Sequence, residues 1–449
     1  MGLTIVHKSD LTARKRNPRV ALVLAGGAVT GGAYKLGGLK AFDDFLVNRK
    51  TTDFDIYVGL SAGAVLAAPL AAGVTPAEML RSIEGVSEEF SALRASDFYG
   101  LNLGEFARKP FEFLFDLFTY VPGLLYDFLV QTPTVLRMLE EPLSRARRQP
   151  TLDNLLECVT PIVDAIGSAR EFPFPLAYVP SGLFSNAPLE RYLRQNMERQ
   201  GMPNDFRDLY KTRGVELYVV AMKLDTAERA VFGHDEDSSL TISEAVQAST
   251  ALPGFYKPAR LHGIDYVDGG VRRTANIDVA IEHGADLIIC YNPFRPFSNP
   301  VGQRYVPEEG RYAITGRPLA DQGMFAILNQ VFRTLLHSRL QLGIRQYQED
   351  PHFGGDIILV EPADTDHTFF RMAPLNFWAA RHAGAHGYLS VTETVESHYE
   401  LMRQILQSYG IQMTRREVRE GLERLLVHTA DAQDGVLMRD VPKRDLHVA

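Results

Sequence analysis

The chain has 449 residues, 45% hydrophobic and 23% charged, which is the composition of an ordinary globular protein with a large core. Its formal net charge of −8 argues against a bulk nucleic-acid binder, because phosphate has to be offset by a basic surface. The two cysteines, Cys158 and Cys290, are too few for a disulfide framework or a zinc site, which fits a reducing compartment and predicts a cytoplasmic protein.

The first 17 residues predict a basic arm that lies in solvent. Lys8, Arg14, Lys15 and Arg16 fall within it, and attraction to anionic lipid is the alternative role for these charges. The apolar run that follows at 20–25 is too short for a signal peptide and leads into glycines. No uninterrupted apolar run reaches the roughly 18 residues that a membrane-spanning helix needs. We therefore expect neither a signal peptide nor a transmembrane helix.

A glycine-rich turn follows the first predicted strand. Residues 20–25 form an apolar run typical of a buried parallel strand, residues 26–32 read Gly-Gly-Ala-Val-Thr-Gly-Gly, and a helix is expected from about Ala33 to Val47. Between a strand and a helix, such a turn can bind an anion through its backbone N–H groups. The turn is therefore a candidate anion site.

Three kinds of anion site compete for this turn. The dinucleotide fingerprint fails because Ala28 or Val29 falls where its second glycine should be. The glycine spacing of a phosphate loop is present at Gly26 and Gly31, but the lysine and the hydroxyl residue that should follow are missing. An oxyanion hole remains. The simpler alternative is that the glycines only allow a tight turn and close helix packing.

The next predicted strand ends in a Gly-x-Ser-x-Gly turn. Residues 56–60 read as a buried strand, Ser61 follows between Gly59 and Gly63, and an alanine-rich helix comes next. This order places a serine on a sharp strand-to-helix bend, where the positive end of the helix faces the serine oxygen. Both turns should open at the same end of one sheet, so that Ser61 and the backbone donors face one substrate carbonyl.

Residues 105–175 predict an insertion with a lid or membrane-docking role. Glu112, Asp116 and Thr119 would form a narrow polar stripe on an otherwise apolar helix, and basic residues flank the stretch, as in a helix that lies at a membrane surface. A core-facing helix is the alternative. The aromatic residues of the stretch are Phe111, Phe113, Phe115, Phe118, Tyr120, Tyr126 and Phe128.

The rest of the chain predicts an α/β protein. Apolar runs typical of buried strands recur at 215–221, 287–291 and 357–360, and helical stretches alternate with them, for example at 188–200 and 242–248. Such alternation is typical of a largely parallel sheet packed between helices. From about residue 391 we expect a helical C-terminal extension that ends in a polar tail over residues 431–449.

Four blocks together resemble the patatin-like lipid acyl hydrolases. They are the turn 26–32, the Gly-x-Ser-x-Gly block 59–63, the block 248–258 and an Asp-Gly-Gly motif at 268–270, and their order and separations are similar to those of the family. The resemblance covers roughly residues 18–390. It implies a three-layer α/β/α sandwich with a largely parallel central sheet, and a serine-aspartate dyad in place of a triad.

The resemblance also implies a role for each motif. Ser61 would attack an ester carbonyl and Asp268 would take its proton. The first turn would hold the oxyanion through Gly26, Gly27 and Ala28. The supporting glycines of the motifs would be Gly31, Gly59, Gly63, Gly269 and Gly270.

One block departs from the family. Bacterial members usually carry a third consecutive glycine and an arginine in the first turn, where Ala28 and Thr30 stand here. Ala28 can still donate its N–H, provided that a positive φ is not required there. The missing arginine bears on how strongly the turn stabilises an oxyanion.

Asp268 suits the role of a base that is buried at the end of a strand. It follows two apolar residues and precedes two glycines, and partial burial would raise its pKa toward the working pH. The alternative is an aspartate that only begins a β-turn. A Ser-His-Asp triad would instead use His382 or His386, late in the chain, but it would leave the first turn and Asp268 unexplained.

The favoured function is hydrolysis of membrane lipid esters, as a phospholipase A or a broad lipid esterase. It needs no metal and no organic cofactor, and its substrate lies at a membrane surface, which predicts a peripheral membrane protein. A lipid-binding or regulatory protein with weak hydrolysis is one alternative, and an acyltransferase that uses the same residues is another.

Overall fold

The computed structural model describes residues 2–149, 151, 156–157, 159, 178–306 and 311–420. The strands within these ranges are β1 (Leu3–Val6), β2 (Val20–Leu24), β3 (Ile56–Leu60), β4 (Gly100–Leu101), β5 (Gly182–Ser185), β6 (Glu216–Lys223), β7 (Arg229–Phe232), β8 (Gly254–Tyr256), β9 (Ala259–Leu261), β10 (Ile264–Asp268), β11 (Leu287–Tyr291), β12 (Gly302–Val306), β13 (Arg311–Thr315) and β14 (Asp356–Val360). The α-helices are α1 (Ala28–Phe45), α2 (Ala62–Ala71), α3 (Pro76–Glu84), α4 (Ala95–Phe98), α5 (Leu103–Arg148), α6 (Ala187–Arg199), α7 (Phe206–Arg213), α8 (Ile242–Thr250), α9 (Ile277–Glu282), α10 (Met324–Glu349), α11 (His367–Arg371), α12 (Ala380–Ser397) and α13 (Tyr399–Ser408).

A mixed, mostly parallel sheet organises the larger part of the chain. Its strand order is β1-β14-β11-β2-β3-β6-β10-β9, and β7 pairs with β6 beside this path. The five strands from β14 to β6 run parallel to one another. The outer pairings, which involve β1, β7, β9 and β10, are antiparallel. The largely parallel sheet that the alternating pattern predicts is confirmed.

Helices cover both faces of this sheet. Along β2, Leu22 and Leu24 join a core cluster that includes residues of α1, α2 and α12, whereas Ala21 and Val23 join a second cluster with residues of α9 and α10. Neighbouring residues of a strand point to opposite faces, so a strand that is buried on both sides needs an unbroken apolar run. The three-layer α/β/α arrangement is therefore confirmed.

The start of α1 corrects the predicted extent of the glycine-rich turn. The helix begins at Ala28, five residues before the expected start at Ala33, and the Gly31 N–H donates to the Gly27 carbonyl at 2.9 Å. Glycine is a poor helix former, so the glycines at 31 and 32 read as turn in the sequence. In the structure the turn consists of little more than Gly26 and Gly27.

The N-terminal arm lies against the sheet instead of extending into solvent. Its residues 3–6 form β1, which pairs with β14 at the sheet edge. Further along, the Lys15 N–H donates to the Ser408 carbonyl at 2.9 Å, and the Lys15 ammonium lies 4.0 Å from the centre of the Tyr409 ring. The arm thereby supplies backbone partners to an edge that would otherwise be unpaired.

Residues 391–408 contribute one side of their helices to the hydrophobic core. The predicted boundary at residue 391 falls inside α12, and Val391, Val395, Met402 and Ile405 all pack in the cluster that contains α1. The polar tail predicted for residues 431–449 lies outside the described residues, as does Cys158.

Residues 101–184 and 254–257 form a second compact unit. Its main element is α5, which contains the aromatic stretch of the predicted insertion. Phe111, Leu114, Phe115 and Phe118 follow one face of this helix and are 74%, 61%, 60% and 78% exposed. These side chains therefore do not face a core. The part of the predicted insertion at 160–177 and the side chain of Phe128 lie outside the described residues.

Of the helices described, none is both long enough and apolar enough to cross a bilayer.

Candidate active site

Ser61 lies on a strained bend between β3 and α2. Its backbone has φ 53° and ψ −128°, a positive-φ conformation that residues with a side chain rarely adopt. A Cβ added at Gly63 would lie 2.0 Å from the Leu24 carbonyl oxygen, and one at Gly59 would lie 2.5 Å from Ala64 Cα. These two glycines therefore provide the space that the bend needs.

The sheet register brings Asp268 next to Ser61. Leu60 of β3 pairs with Val220 of β6, and the next residue of β6, Ala221, pairs with Asp268 of β10. The end of β10 therefore lies level with the residue that follows β3. Hydrogen bonding with the Ser61 side chain acts to lower the pKa of Asp268, so the two side chains lie next to each other.

Hydrogen bonds fix both members of this pair. The Gly270 N–H donates to Asp268 Oδ1 at 2.8 Å. The Ser61 N–H donates to Ser249 Oγ at 2.8 Å, and the Ser249 hydroxyl donates to the Val220 carbonyl at 2.6 Å. Ser249 thus joins the backbone of the bend to β6, and α8 becomes part of the support of the site.

The glycine-rich turn lies beside Ser61. A Cβ added at Gly26 would lie 3.4 Å from Ser61 Cβ, and one at Gly27 would lie 2.8 Å from Pro293 Cγ. In the part of the chain that the structure describes, the N–H groups of Gly26, Gly27 and Ala28 donate to no backbone carbonyl. Unused N–H groups next to a serine oxygen form the kind of arrangement that stabilises an oxyanion.

Ala28 and Thr30, the two departures in the first turn, have different local roles. Ala28 has φ 52°. Its N–H was expected to remain a donor provided that no positive φ is required there, and the structure has a positive φ at this position. Thr30 is turned toward another segment, because its N–H donates to the Pro374 carbonyl at 3.0 Å and its hydroxyl lies 3.3 Å from the same oxygen. Thr30 therefore anchors the first turn of α1.

The pair is buried, and burial controls its acidity. Ser61 is 7% and Asp268 5% exposed. Burial raises the pKa of Asp268 to about 6, although hydrogen bonds from Ser61 and Gly270 and the charge of Lys35 act in the opposite direction. A carboxylate with this pKa is ionised at neutral pH and still basic enough to accept a proton from a serine.

The two candidate histidines lie in another environment. His386 Nε2 is 2.8 Å from Asp366 Oδ2, and burial together with His386 lowers the pKa of His382. Ser61 instead lies beside Asp268, where the sheet register places the end of β10. Among the described residues, no cluster of three or more His, Cys, Asp or Glu side chains is arranged to hold a metal ion.

Two residues at the site have no role in the sequence-based prediction. Ser249 lies inside the matched block 248–258, but only the fold reveals its bond to the Ser61 N–H. Lys35 is buried behind the glycine-rich turn and donates to the carbonyls of Ala25 and Gly26. A lone lysine in the small and apolar run 31–39 is the signal that could have indicated it.

Comparison with known proteins identifies a family and one weak relative. A family model described as patatin-like phospholipase matches residues 22–281. A protein named probable lipid hydrolase 463L, from Invertebrate iridescent virus 6, is 24% identical over 104 residues. This match covers 23% of the present chain and 36% of the viral protein, so the aligned part spans about a third of that relative.

Two solved structures are similar at low sequence identity. VipD from Legionella pneumophila is 16% identical, with 88% of this chain and 70% of that chain covered and a TM-score of 0.37. A structure of full-length SpcU in complex with full-length ExoU from the type III secretion system of Pseudomonas aeruginosa matches at 17% identity, with coverages of 80% and 56% and a TM-score of 0.25.

Proposed function

Because the chain belongs to the patatin-like phospholipase family, we propose that it is a serine-dependent lipid acyl hydrolase, of the phospholipase A type or a broader lipid esterase. The observation that carries this proposal is the position of Ser61, on its strained bend, beside the buried Asp268 at the end of β10. The family supports lipid hydrolysis in general, and the local geometry supports the residue roles.

The proposed reaction has two steps. Ser61 Oγ attacks the ester carbonyl carbon while Asp268 takes the hydroxyl proton, and the leaving alcohol departs with that proton. Water then attacks the acyl-serine and gives a proton to Asp268, and the carboxylic acid leaves as Ser61 regains its hydrogen. One aspartate serves as base and acid in turn, which its pKa of about 6 allows at neutral pH.

The N–H groups of Gly26, Gly27 and Ala28 are the proposed oxyanion donors. They belong to the turn in which Gly26 lies beside Ser61 and, in the described part of the chain, they donate to no backbone carbonyl. A donor that is already oriented toward the developing charge needs no reorganisation during the reaction. This turn would therefore supply the electrostatic stabilisation in both steps.

Weak hydrolysis by a lipid-binding protein is the second candidate function. It is favoured by the strained φ of Ala28 and by Thr30, which stands where an arginine is usual and points toward Pro374. A strained first turn would misplace an oxyanion donor and lower the rate without affecting lipid binding.

We also propose that α5 docks the protein on a membrane surface. Its face with Phe111, Leu114, Phe115 and Phe118 is apolar and exposed, and Arg108 and Lys109 come directly before this face on the same helix. Exposed apolar residues beside basic ones suit the boundary of an anionic bilayer.

A fluorophosphonate probe and a mixed lipid extract test the proposed function. The wild-type protein should be labelled on Ser61 and should release fatty acids from the extract, whereas Ser61→Ala should do neither. Mass spectrometry of the labelled peptide and of the released acids gives both readouts. Lipid binding without labelling and without released acid would favour the lipid-binding function instead.

A further inference from the structure

A buried lysine lies behind the glycine-rich turn. Lys35 is on α1, about two turns after the start of the helix, and is 1% exposed. Its ammonium group donates to the carbonyl oxygens of Ala25 and Gly26, with Nζ 3.1 Å from the Gly26 oxygen. A buried ammonium group costs several kcal/mol unless it is well paired. Its partners are two carbonyls of one turn, which points to a role in that turn.

The two hydrogen bonds orient two peptide groups. In a trans peptide, the C=O of one residue and the N–H of the next point in opposite directions. When Lys35 holds the carbonyls of Ala25 and Gly26, the N–H groups of Gly26 and Gly27 have to point away from the ammonium group. The next peptide group of the turn is oriented by the first hydrogen bond of α1. Without Lys35, the first two peptide groups could rotate.

The charge of Lys35 also reaches the proposed base. The titratable groups that interact with its ammonium group are Asp268 on β10 and Cys290 on β11, and Glu361 after β14 acts on the Cys290 thiol. Burial lowers the pKa of Lys35 to about 7 and raises the pKa of Cys290. The thiol is therefore neutral, whereas Lys35 still carries its charge at about pH 6, where Asp268 titrates.

We propose that Lys35 is a positioning residue for the proposed hydrolysis. It holds the glycine-rich turn with the N–H groups of Gly26 and Gly27 directed toward the oxyanion, and its charge favours the carboxylate form of Asp268. This assignment rests on the proposed function, and it supplies a cation at a turn that lacks the arginine usual in the family. The cation acts on the carbonyl side of the turn.

Lys35→Met tests the assignment, with Lys40→Met as the matched control. Methionine has a similar shape but no charge and no donor. Lys40 is on the same helix, where its ammonium group pairs with Asp44 Oδ2 at 2.6 Å. The measurement is the pH dependence of kcat and kcat/KM on a soluble p-nitrophenyl ester, with thermal unfolding to confirm the fold.

Lys35→Met is expected to lower kcat at pH 8 by about tenfold to a hundredfold, somewhat less than the loss of an oxyanion donor itself. The acid limb of kcat/KM should move to higher pH, because Asp268 loses a nearby opposite charge. Lys40→Met should leave kcat within about twofold of wild type and the acid limb at the same pH. A folded Lys35→Met protein with unchanged kcat and an unchanged acid limb would overturn the assignment, since loss of stability alone moves neither.

A second variant covers the case in which Lys35→Met does not fold. Lys35→Gln keeps a donor without the charge, so its acid limb should shift while part of kcat is retained. A Gln variant with a wild-type acid limb rejects the electrostatic role, and one with full kcat rejects the positioning role. If the wild-type protein neither hydrolyses the ester nor reacts with the fluorophosphonate at Ser61, the proposed function itself is wrong. If the wild type does both and the Lys35 variants behave like it, only the role of Lys35 is wrong.

Discussion

At the scale of single residues, substitution of Asp268 is expected to lower kcat strongly, whereas substitution of the two histidines is not. Asp268→Asn should lower kcat about 10²- to 10⁴-fold, because it removes the proposed base while keeping the side-chain volume. His382→Ala and His386→Ala should stay within about tenfold of wild type, since His386 is paired with Asp366 and not with Ser61. Hydrolysis of a short-chain ester at pH 8 measures all three. A folded histidine variant as inactive as Ser61→Ala would favour a triad.

The burial of Asp268 also predicts an effect on stability. Its pKa is about 6 in the folded protein and near 4 when unfolded, so the folded protein holds the proton more tightly. The free energy of unfolding therefore falls as the pH rises from about 4 to 6. Asp268→Asn has no carboxylate to titrate, so it does not lose stability over this pH range. It should be more stable than wild type by about 1 to 3 kcal/mol at pH 8 and nearly equal to it at pH 4.

Urea unfolding at pH 4 and pH 8 measures this difference. Ser61→Ala is the control, because it abolishes the proposed reaction but keeps the Asp268 carboxylate. If the advantage of Asp268→Asn is the same at both pH values, the carboxyl does not titrate with a raised pKa.

The first turn is the element in which the backbone itself can be tested. Ala28 has φ 52°, where an alanine costs roughly 1 to 2 kcal/mol and a glycine does not, although glycine loses about 0.5 to 1 kcal/mol in chain entropy. Ala28→Gly should therefore stabilise the protein by about 0.5 to 1 kcal/mol and leave kcat equal or higher. Ala41→Gly, in the middle of the same helix, is the control and should destabilise. An inactive but folded Ala28→Gly protein would mean that the donors are assigned to the wrong residues.

A larger side chain at the neighbouring Gly27 should lower kcat. A side chain at Gly27 would meet Pro293 Cγ at 2.8 Å and the backbone of Gly31 at 3.1 Å. Gly27→Val should displace the turn and lower kcat by about 10²- to 10³-fold. Ester kinetics on folded protein measure this loss. Near-normal kcat would show that the turn does not hold the oxyanion.

The elements that the sequence predicted best are the strands buried on both faces. For β2 and β11 the apolar runs 20–25 and 287–291 match the observed bounds to within one residue, because a doubly buried strand leaves little choice of residue type. The start of α1 was wrong by five residues because Gly31 and Gly32 have low helix propensity. A Cβ added at Gly31 would lie 3.3 Å from Pro293 Cγ, and one at Gly32 would lie 3.3 Å from Ala62 Cβ, so the close packing here favours glycine within the helix. Lys35 could not be assigned, because its burial depends on the whole fold.

At the scale of the whole molecule, the open question is which surface meets the lipid. Phe115→Asp together with Phe118→Asp should weaken binding to anionic liposomes by about 30-fold to 1000-fold, because a buried ring contributes about 1.5 to 3 kcal/mol and these two are more than half exposed in the free protein. Hydrolysis of a soluble short-chain ester should be nearly unchanged. Liposome co-sedimentation and ester kinetics on the same preparation measure both effects.

A second exposed apolar surface provides the matched control. Phe325 and Phe332 on α10 are 89% and 59% exposed, so Phe325→Asp with Phe332→Asp introduces the same charges on a different helix. If liposome binding depends on α5, this control should bind as the wild type does. Loss of binding only in the α10 variant would move the docking surface to that helix, whereas equal losses in both would mean that added negative charge alone repels the anionic bilayer. A loss of ester hydrolysis and stability in the α5 variant would instead show that these rings support the fold.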